Sequence, residues 1–368
     1  MLRGVDLAQK SVFVTGHSGF KGSWLSIWLH RLGAKVTGYS KPPPTTPSNF
    51  EMSRVQTLLA THHVGDIRDG ERLTSAIAAA DPDIIFHMAA QPLVRESYQN
   101  PRETFDVNVI GTAAVLDAVK ARGKPCVVIV VTSDKCYENG EHVWGYREAD
   151  PMGGHDPYSA SKGAAELVVS SYRRSFFPPS TIVKHGVQVA SVRAGNVIGG
   201  GDWAVDRLVP DIIRALSSGA EVRLRNPDAV RPWQHVLDPL GGYLLLAARM
   251  LEKKDVALSS GWNFGPLPGH DVPVSRLAQA LIDEWGSGKW LDVREHNQPH
   301  EAQTLRLSIE KAVAQLAWRP RWDVQTSIRR TARWYARAAR SQGSMLDACL
   351  EDIEAYERSS DALPLSSA

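Results

Sequence analysis

Little in this sequence invites a disulfide, a metal or a membrane. Its three cysteines, Cys126, Cys136 and Cys349, form neither a Cys-x-x-Cys pair nor an even framework, which argues against a disulfide scaffold and a zinc ribbon. His62 and His63 stand without carboxylates at metal-ligand spacing, so no metal is expected. Charge of either sign is scarce in blocks: 42 Lys and Arg offset 40 Asp and Glu, and no basic cluster occurs. Nucleic acid and acidic membrane surfaces both need clustered cations, so neither is expected as a partner. The apolar runs, such as residues 127–131, have the length of strands and fall far short of a bilayer span. The first ten residues are too polar for a signal peptide, and a reducing cytoplasm is the expected setting.

What is present is an alternation. Residues 12–15, 35–39, 84–86, 127–132 and 187–192 read as short apolar strands, and stretches near 20–32, 69–80, 102–122 and 158–176 carry helical spacing. Fully apolar strands alternating with helices imply a Rossmann-like, doubly wound parallel sheet covered on both faces. After residue 193 the rhythm breaks into short helices (205–218, 274–285, 308–316, 324–340) and short strands (221–224, 290–293). The expected organisation is a dinucleotide-binding domain over 1–193, a smaller mixed substrate lobe over 194–340, and a C-terminal tail over 341–368. The tryptophans, Trp24, Trp28 and Trp334 among them, read as core residues.

The turn Thr15-Gly-His-Ser-Gly-Phe-Lys-Gly22 joins the first strand to the first helix. Glycine there permits a tight turn, close packing of helix on strand and backbone approach to a pyrophosphate, while the helix N-terminus offers its N–H groups to the phosphates. Gly16, Ser18, Gly19, Phe20, Lys21 and Gly22 are therefore candidate dinucleotide contacts. Asp66 could accept from an adenine or cap the helix that follows it. His87-Met-Ala-Ala-Gln91 ends the fourth strand with small residues, which puts Ala89, Ala90 and Gln91 against a cofactor. No acidic residue ends the second strand, where one would take the ribose 2′-hydroxyl, and no arginine stands there for a 2′-phosphate. The preference leans to NAD.

Tyr158-Ser-Ala-Ser-Lys162 starts a helix after Pro157, and its i, i+4 spacing puts phenol and ammonium on one face. A free tyrosine has a pKa of about 10, so a phenolate at neutral pH needs roughly 4 kcal/mol of stabilisation. Lys162 and a positive nicotinamide could supply it.

The glycine turn, Tyr158 with Lys162, Ser133-Asp-Lys-Cys-Tyr137 and Arg231-Pro-Trp-Gln-His235 resemble the extended short-chain dehydrogenase/reductases, in particular the 4,6-dehydratases of their nucleotide-sugar branch, over residues 6–340. Ser18 replaces the usual threonine of the turn and keeps its hydroxyl. The resemblance implies NAD as cofactor and CDP-glucose or a related nucleotide sugar as substrate. It adds Ile67, Asn108 and Thr132, with Tyr158 and Lys162, to the cofactor contacts. It assigns Gln91, Asn196, Trp203, Arg225, Arg231, His235 and Glu301 to the substrate, although for Arg225 and Arg231 a surface ion pair is the plain alternative. Gly199-Gly-Gly-Asp-Trp203 would let backbone approach the ligand.

The implied reaction has three steps. Tyr158, with Ser133 on the same hydroxyl, takes the 4-hydroxyl proton while C4 yields hydride to NAD⁺. Water then leaves across C5–C6 with the help of Asp134 and Lys135. Hydride finally returns to C6. Relatives acting on dTDP-glucose carry Asp-Glu where this chain has Asp134-Lys135, so which of the two is acid and which base stays open. A 4-epimerase would need only the Tyr–Lys pair, and a non-catalytic dinucleotide-binding scaffold would need neither residue. The helices near 102–122 and 158–176 match those that pair subunits in the family, so a homodimer or higher homo-oligomer is expected.

Overall fold

The computed structural model describes residues 4–253, 255–267, 271–294 and 305–359. Seven parallel strands form its central sheet: β1 (Ser11–Thr15), β2 (Lys35–Ser40), β3 (Thr61–Val64), β4 (Ile84–His87), β5 (Cys126–Val131), β6 (Val187–Ala194) and β7 (Gly261–Phe264). Their spatial order is β7-β6-β5-β4-β1-β2-β3. The chain thus winds outward in one direction through β2 and β3, then returns to the other side of β1 with β4. At such a reversal the loops on either side diverge and leave a crevice beyond the carboxyl ends of the strands.

The inner strands are mostly apolar because both faces are covered. Successive side chains point to opposite faces. Val12, Val14, Ile84, Phe86, Val127 and Ile129 join one buried cluster, built around Trp24 and Trp28 of α1 (Phe20–Arg31). Phe13, Ile85, Val128 and Val130 join the other, with Leu73 and Ile77 of α2 (Gly70–Ala80), Val115 and Leu116 of α3 (Gly111–Arg122) and Val169 of α4 (Pro157–Ser175). Gly33 and Gly123, at φ +77 and +63, let the chain leave α1 and α3 in the left-handed conformation that glycine tolerates.

The second part of the chain supplies α5 (Leu208–Ser217), α6 (Leu237–Lys253), α7 (Val274–Trp285), α8 (Val324–Ala339) and α9 (Met345–Arg358). Two elements that shape this part of the fold escape the sequence reading. Residues 237–253 carry Pro239 and a Gly-Gly pair, which look like turn signals, yet they form α6. Gly242 is there because a β-carbon would lie 2.3 Å from the Phe264 ring. The four-residue strand β7, also unassigned by pattern, pairs with β6 from Gly261↔Ser191 to Phe264↔Ala194 and so brings residues beyond 193 into the central sheet. Beyond residue 341, α9 is capped by Ser344, whose side chain accepts from Asp347 N–H, and buries Met345, Cys349, Ile353 and Tyr356. No described helix is long and apolar enough to cross a membrane.

Ile353 has no exposed surface. Ile353→Ala should cost about 2–5 kcal/mol through lost burial and the cavity left behind. Urea unfolding of the variant beside the parent protein measures it.

Candidate active site

The first turn is built by near-contacts of backbone. Gly16 has φ +75, and a β-carbon there would stand 2.6 Å from Ala89 N on the neighbouring strand's loop. A β-carbon on Gly22 would be 2.1 Å from the Gly16 carbonyl, so α1 can sit this close to β1 only with glycine. Gly19 differs: its β-carbon would meet the Gly16 oxygen at 3.3 Å and nothing else nearby. It is the N-cap of α1, with no side-chain hydrogen bond closing the helix end and no acid in the first turn. Thr15 Oγ1 accepts from Met88 and Ala89 N–H, both at 3.1 Å, and ties this turn to the end of β4. The result is an anion-favouring backbone cradle at the crevice.

His17 lies beneath the turn, a role the sequence does not reveal. Its Nε2 bonds His62 Nδ1 at 2.7 Å, and a β-carbon on Gly38 would strike its ring at 2.5 Å. Burial, helped by His62, pushes its pKa down to about 3, so it is a neutral wedge. Ser18 Oγ donates to the Lys41 carbonyl (2.9 Å) and accepts from Ser40 Oγ (2.8 Å). Beyond the second and third strands, Asp66 is held by Arg68 at 2.6 Å and by Lys41 at 3.1 Å, with its carboxyl kept well below the usual range chiefly by the Arg68 hydrogen bond. The helix-capping alternative for Asp66 falls to Asp69, whose side chain accepts from Arg72 N–H at 3.1 Å. Arg68 also brings an arginine to this corner from after β3, where the end of β2 alone suggested none. Ile67 is buried, and a β-carbon on Gly111 would reach its side chain at 2.8 Å.

Two expected cofactor contacts brace the β4 loop. Asn108 accepts from Gln91 N–H (2.9 Å) and donates to Gln91 O (3.1 Å) and Ser161 Oγ (2.8 Å). The Gln91 amide is itself engaged with Leu93 and Thr104. Ala89 and Ala90 are half-buried at the same edge.

The helix α4 starts where it does because Asp156 caps it, accepting from Ser159 N–H at 2.9 Å, and Pro157 occupies its first turn. That places Tyr158 and Lys162 against the end of β5. The Tyr158 phenol is buried with Ser133 acting on it, and burial pushes its pKa up to about 12. Ser133 Oγ donates to Asp134 Oδ1 at 2.9 Å and accepts from Lys135 N–H at 3.2 Å. Asp134 is 5% exposed, and burial raises its pKa against the opposing pull of Lys135. Room for its carboxylate is left by Gly195, whose β-carbon would lie 2.7 Å from Oδ2. Lys162 Nζ lies 3.5 Å from the Val131 carbonyl, and burial pushes it down to about 8. The charges that act most on the phenol are Asp134, Arg207 and Asp156.

Several side chains converge here that sequence reasoning did not select. Arg207 bonds Asp202 at 2.8 Å, and both act on Lys21, which is pushed down to about 8 by burial first and Arg207 next. Asp134 and Lys162 also act on Lys21, so its ammonium belongs to the same pocket as Tyr158. The only signal for Arg207 and Asp202 was their place beside a glycine-rich loop.

The expected substrate contacts disperse. Asn196 is half-buried, and its carbonyl accepts from Gln234 N–H at 3.1 Å. Trp203 packs edge-on to Tyr335 at 5.1 Å. Arg225 is exposed and 3.5 Å from Asp206, the plain surface ion pair. Arg231 is buried and donates to the Val230 carbonyl. His235 is a correction: it has no exposure and lies between Trp24 and Trp322 at 5.9 and 4.8 Å, a core position from which no diphosphate can be reached. Gly199, Gly200 and Gly201 are required by packing, since their β-carbons would strike Val236, Trp334 and Asn49. Thr132 turns its hydroxyl to Glu166 at 2.5 Å. Glu301 lies outside the described residues.

Comparison with known proteins fits this geometry. Residues 13–331 match the family model described as GDP-mannose 4,6 dehydratase. The chain is 52% identical over 338 residues to the CDP-glucose 4,6-dehydratase of Salmonella typhimurium, covering 92% of this chain and 93% of that protein. A dTDP-glucose 4,6-dehydratase from Streptomyces venezuelae, solved with NAD bound, superposes with a TM-score of 0.75 at 24% identity, covering 91% of this chain and 99% of that one. A UDP-glucose 4-epimerase from Thermotoga maritima superposes with a TM-score of 0.74 at 22% identity, covering 89% and 99%. These two likenesses establish the fold.

The two helix-side glycines should separate folding from binding. Gly22→Ala should abolish the folded protein, because backbone has nowhere to move. Gly19→Ala should keep the parent's melting temperature yet lose NAD binding by calorimetry, because its methyl enters the cradle.

Proposed function

Because this chain belongs to the GDP-mannose 4,6 dehydratase family, we propose that it is an NAD-dependent nucleotide-sugar 4,6-dehydratase whose substrate is CDP-glucose, released as the 4-keto-6-deoxy sugar nucleotide and water. The observation that carries the reaction class is the cluster at the end of β5, with Tyr158 buried beside Ser133, Ser133 donating to Asp134, and Lys135 next in sequence: an acid–base pair in addition to what C4 oxidation requires. The base and hexose rest on the 52% identity to the Salmonella enzyme.

NAD fits the residues present. The cradle at Gly19 is open, Gly16 and Gly22 hold helix and strand together, and Asp66 stands at the far end of the crevice. Gly16, Ser18, Gly19, Phe20, Lys21 and Gly22 would hold the pyrophosphate, Asp66 and Ile67 the adenine end, and Tyr158 and Lys162 the nicotinamide end. When bound, the nicotinamide supplies a reversible hydride acceptor for the sugar.

The protein's own groups handle protons. With a pKa of about 12 the Tyr158 phenol rests protonated, so its action as a base depends on positive charge brought to it. Arg207 already faces it and Lys162 lies on the same helix face. Ser133 holds the 4-hydroxyl for that transfer. Burial favours the protonated carboxyl of Asp134, which makes it the donor to the departing 6-hydroxyl. Lys135, next to it, is the other member of the pair that moves the protons at C5 and the 6-hydroxyl.

We infer a homodimer from the same resemblance. Ile110 and Leu167, on the helical segments expected to pair subunits, are 59% and 62% exposed, and Phe105 lies nearby in sequence, also exposed. The three unpaired cysteines support a cytoplasmic setting.

Incubation with CDP-, dTDP-, GDP- and UDP-hexoses tests the function: CDP-glucose should give a product lighter by one water, with the alkaline chromophore of a 4-keto-6-deoxy sugar. A product of unchanged mass would mean epimerisation. Asp134→Asn should lower kcat by about 10²- to 10⁴-fold. Lys135→Ala should stop water loss while C4 oxidation still shows as NADH absorbance. Leu167→Glu should convert a dimer to monomers in sedimentation.

A further inference from the structure

We propose that Glu166, paired with Arg193, is a positioning residue: it locks the helix carrying Tyr158 and Lys162 to the strand ends carrying Ser133 and Asp134, and it supplies a carboxylate one turn beyond Lys162 on the same helix face. The proposal rests on the reading of Tyr158 and Lys162 as the groups that handle the proton at C4.

Tyr158, Lys162 and Glu166 are spaced i, i+4, i+8 on α4, so they share one face of the helix. Glu166 is 5% exposed and fully satisfied. Its Oε1 accepts from Thr132 Oγ1 at 2.5 Å and Arg193 Nε at 2.8 Å; its Oε2 accepts from Ser191 Oγ at 2.7 Å and Arg193 Nη2 at 2.8 Å. Thr132 directly precedes Ser133, and Ser191 and Arg193 are on β6. One carboxylate therefore joins α4 to two adjacent strands at the height of the proposed chemistry.

Arg193 is fixed from behind. Its Nη1 donates to Tyr137 OH at 2.5 Å and to the Glu148 carbonyl at 3.2 Å, and Tyr137 OH donates to Asn263 Oδ1 at 2.8 Å. A β-carbon on Gly261 would lie 2.6 Å from Nη2, so the guanidinium fits where it does because residue 261 has no side chain. Tyr137 closes the turn that begins at Ser133, and the network thus grips that turn at both ends.

A buried ion pair is a weak source of stability, since apolar residues of similar volume often serve as well. What apolar residues cannot provide is charge. The groups that raise Lys162 against its burial are Cys136 and Glu166. The Cys136 thiol is pushed far up by burial and stays neutral at working pH, which leaves Glu166 to oppose the loss of the Lys162 proton. From the other elements, Lys21 of α1 adds a like charge, His87 of β4 is neutral with a pKa pushed down to about 3, Asp134 acts on Lys21, and Arg193 of β6 is held by Glu166.

The test compares Glu166→Gln, Glu166→Asp and the double variant Glu166→Met with Arg193→Met. The readouts are the Lys162 Nζ titration, followed by NMR of lysine-labelled protein and assigned with Lys162→Met, and the basic limb of the kcat profile. Glu166→Gln should lower the Lys162 midpoint and move the basic limb down by roughly one pH unit. Glu166→Asp should restore both. The double variant should fold and show the lowered midpoint, so a folding failure of Glu166→Gln does not shelter the idea. An unchanged Lys162 midpoint in either folded charge-removed variant overturns it. The titration needs no turnover, so an inactive parent protein would count against the dehydratase reading alone.

Discussion

The sheet is sealed on both faces, and that constraint decides where chemistry can occur. The inner strands spend most of their side chains on two apolar clusters, so polar groups gain access to a ligand only where strands end. The reversal of winding between β1 and β4 then opens those ends on a single crevice, where Gly16 and Ala89 come within a β-carbon of collision. Ser133, Asp134 and the cradle of α1 all lie at strand ends facing one pocket. The seal also explains the pKa pattern there. Burial is the first cause of the raised phenol, the raised Asp134 carboxyl and the lowered Lys21 and Lys162. Each group is biased to its uncharged form, and partners of opposite sign decide how far.

Much of this was legible in the sequence where the determinants are local. The glycine turn announces itself because strand, turn and helix are contiguous. The start of α4 is legible because its cap, its proline and its tyrosine are neighbours, Asp156, Pro157 and Tyr158. Parallel strands buried on both faces show as unbroken apolar runs. Legibility fails where a residue's environment comes from far along the chain. His235 looked like a ligand contact from its motif, but Trp322, 87 residues on by number, closes over it. The glycines at 199–201 resembled a ligand loop, whereas Trp334 requires the central one to lack a side chain. Helix α6 was hidden by Pro239 and Gly242, the first tolerated in an opening turn and the second demanded by Phe264.

The same distinction separates the parts of the site. Tyr158 and Lys162 can be found by a spacing rule, since one helix sets their relation. Arg207 and Asp202 cannot, because a loop from beyond β6 delivers them to a helix near residue 160. His17 sits inside the most legible motif of the chain yet has a use no motif states. Its neutral ring fills the space under the turn and bonds His62 from the third strand. Local pattern identifies the scaffold of the crevice, and tertiary contact decides the charges within it.

That division bears on the choice between reactions sharing this fold. An epimerase and a dehydratase both need a phenol and an ammonium beside a dinucleotide, and the superpositions on one of each are equally good. What distinguishes them must be a group able to hand a proton to a departing hydroxyl. A carboxyl does this more readily when its surroundings favour the protonated form, and burial shifts Asp134 in that direction. Its seat depends on Gly195 at the end of β6, because any side chain there would occupy the place of Oδ2. The acid is thus made by two strands together: β5 presents the carboxyl, and β6 withholds the atoms that would displace it toward solvent. A Tyr–Lys pair alone would have left the reaction class open, and this shared seat is the physical reason to read it as loss of water.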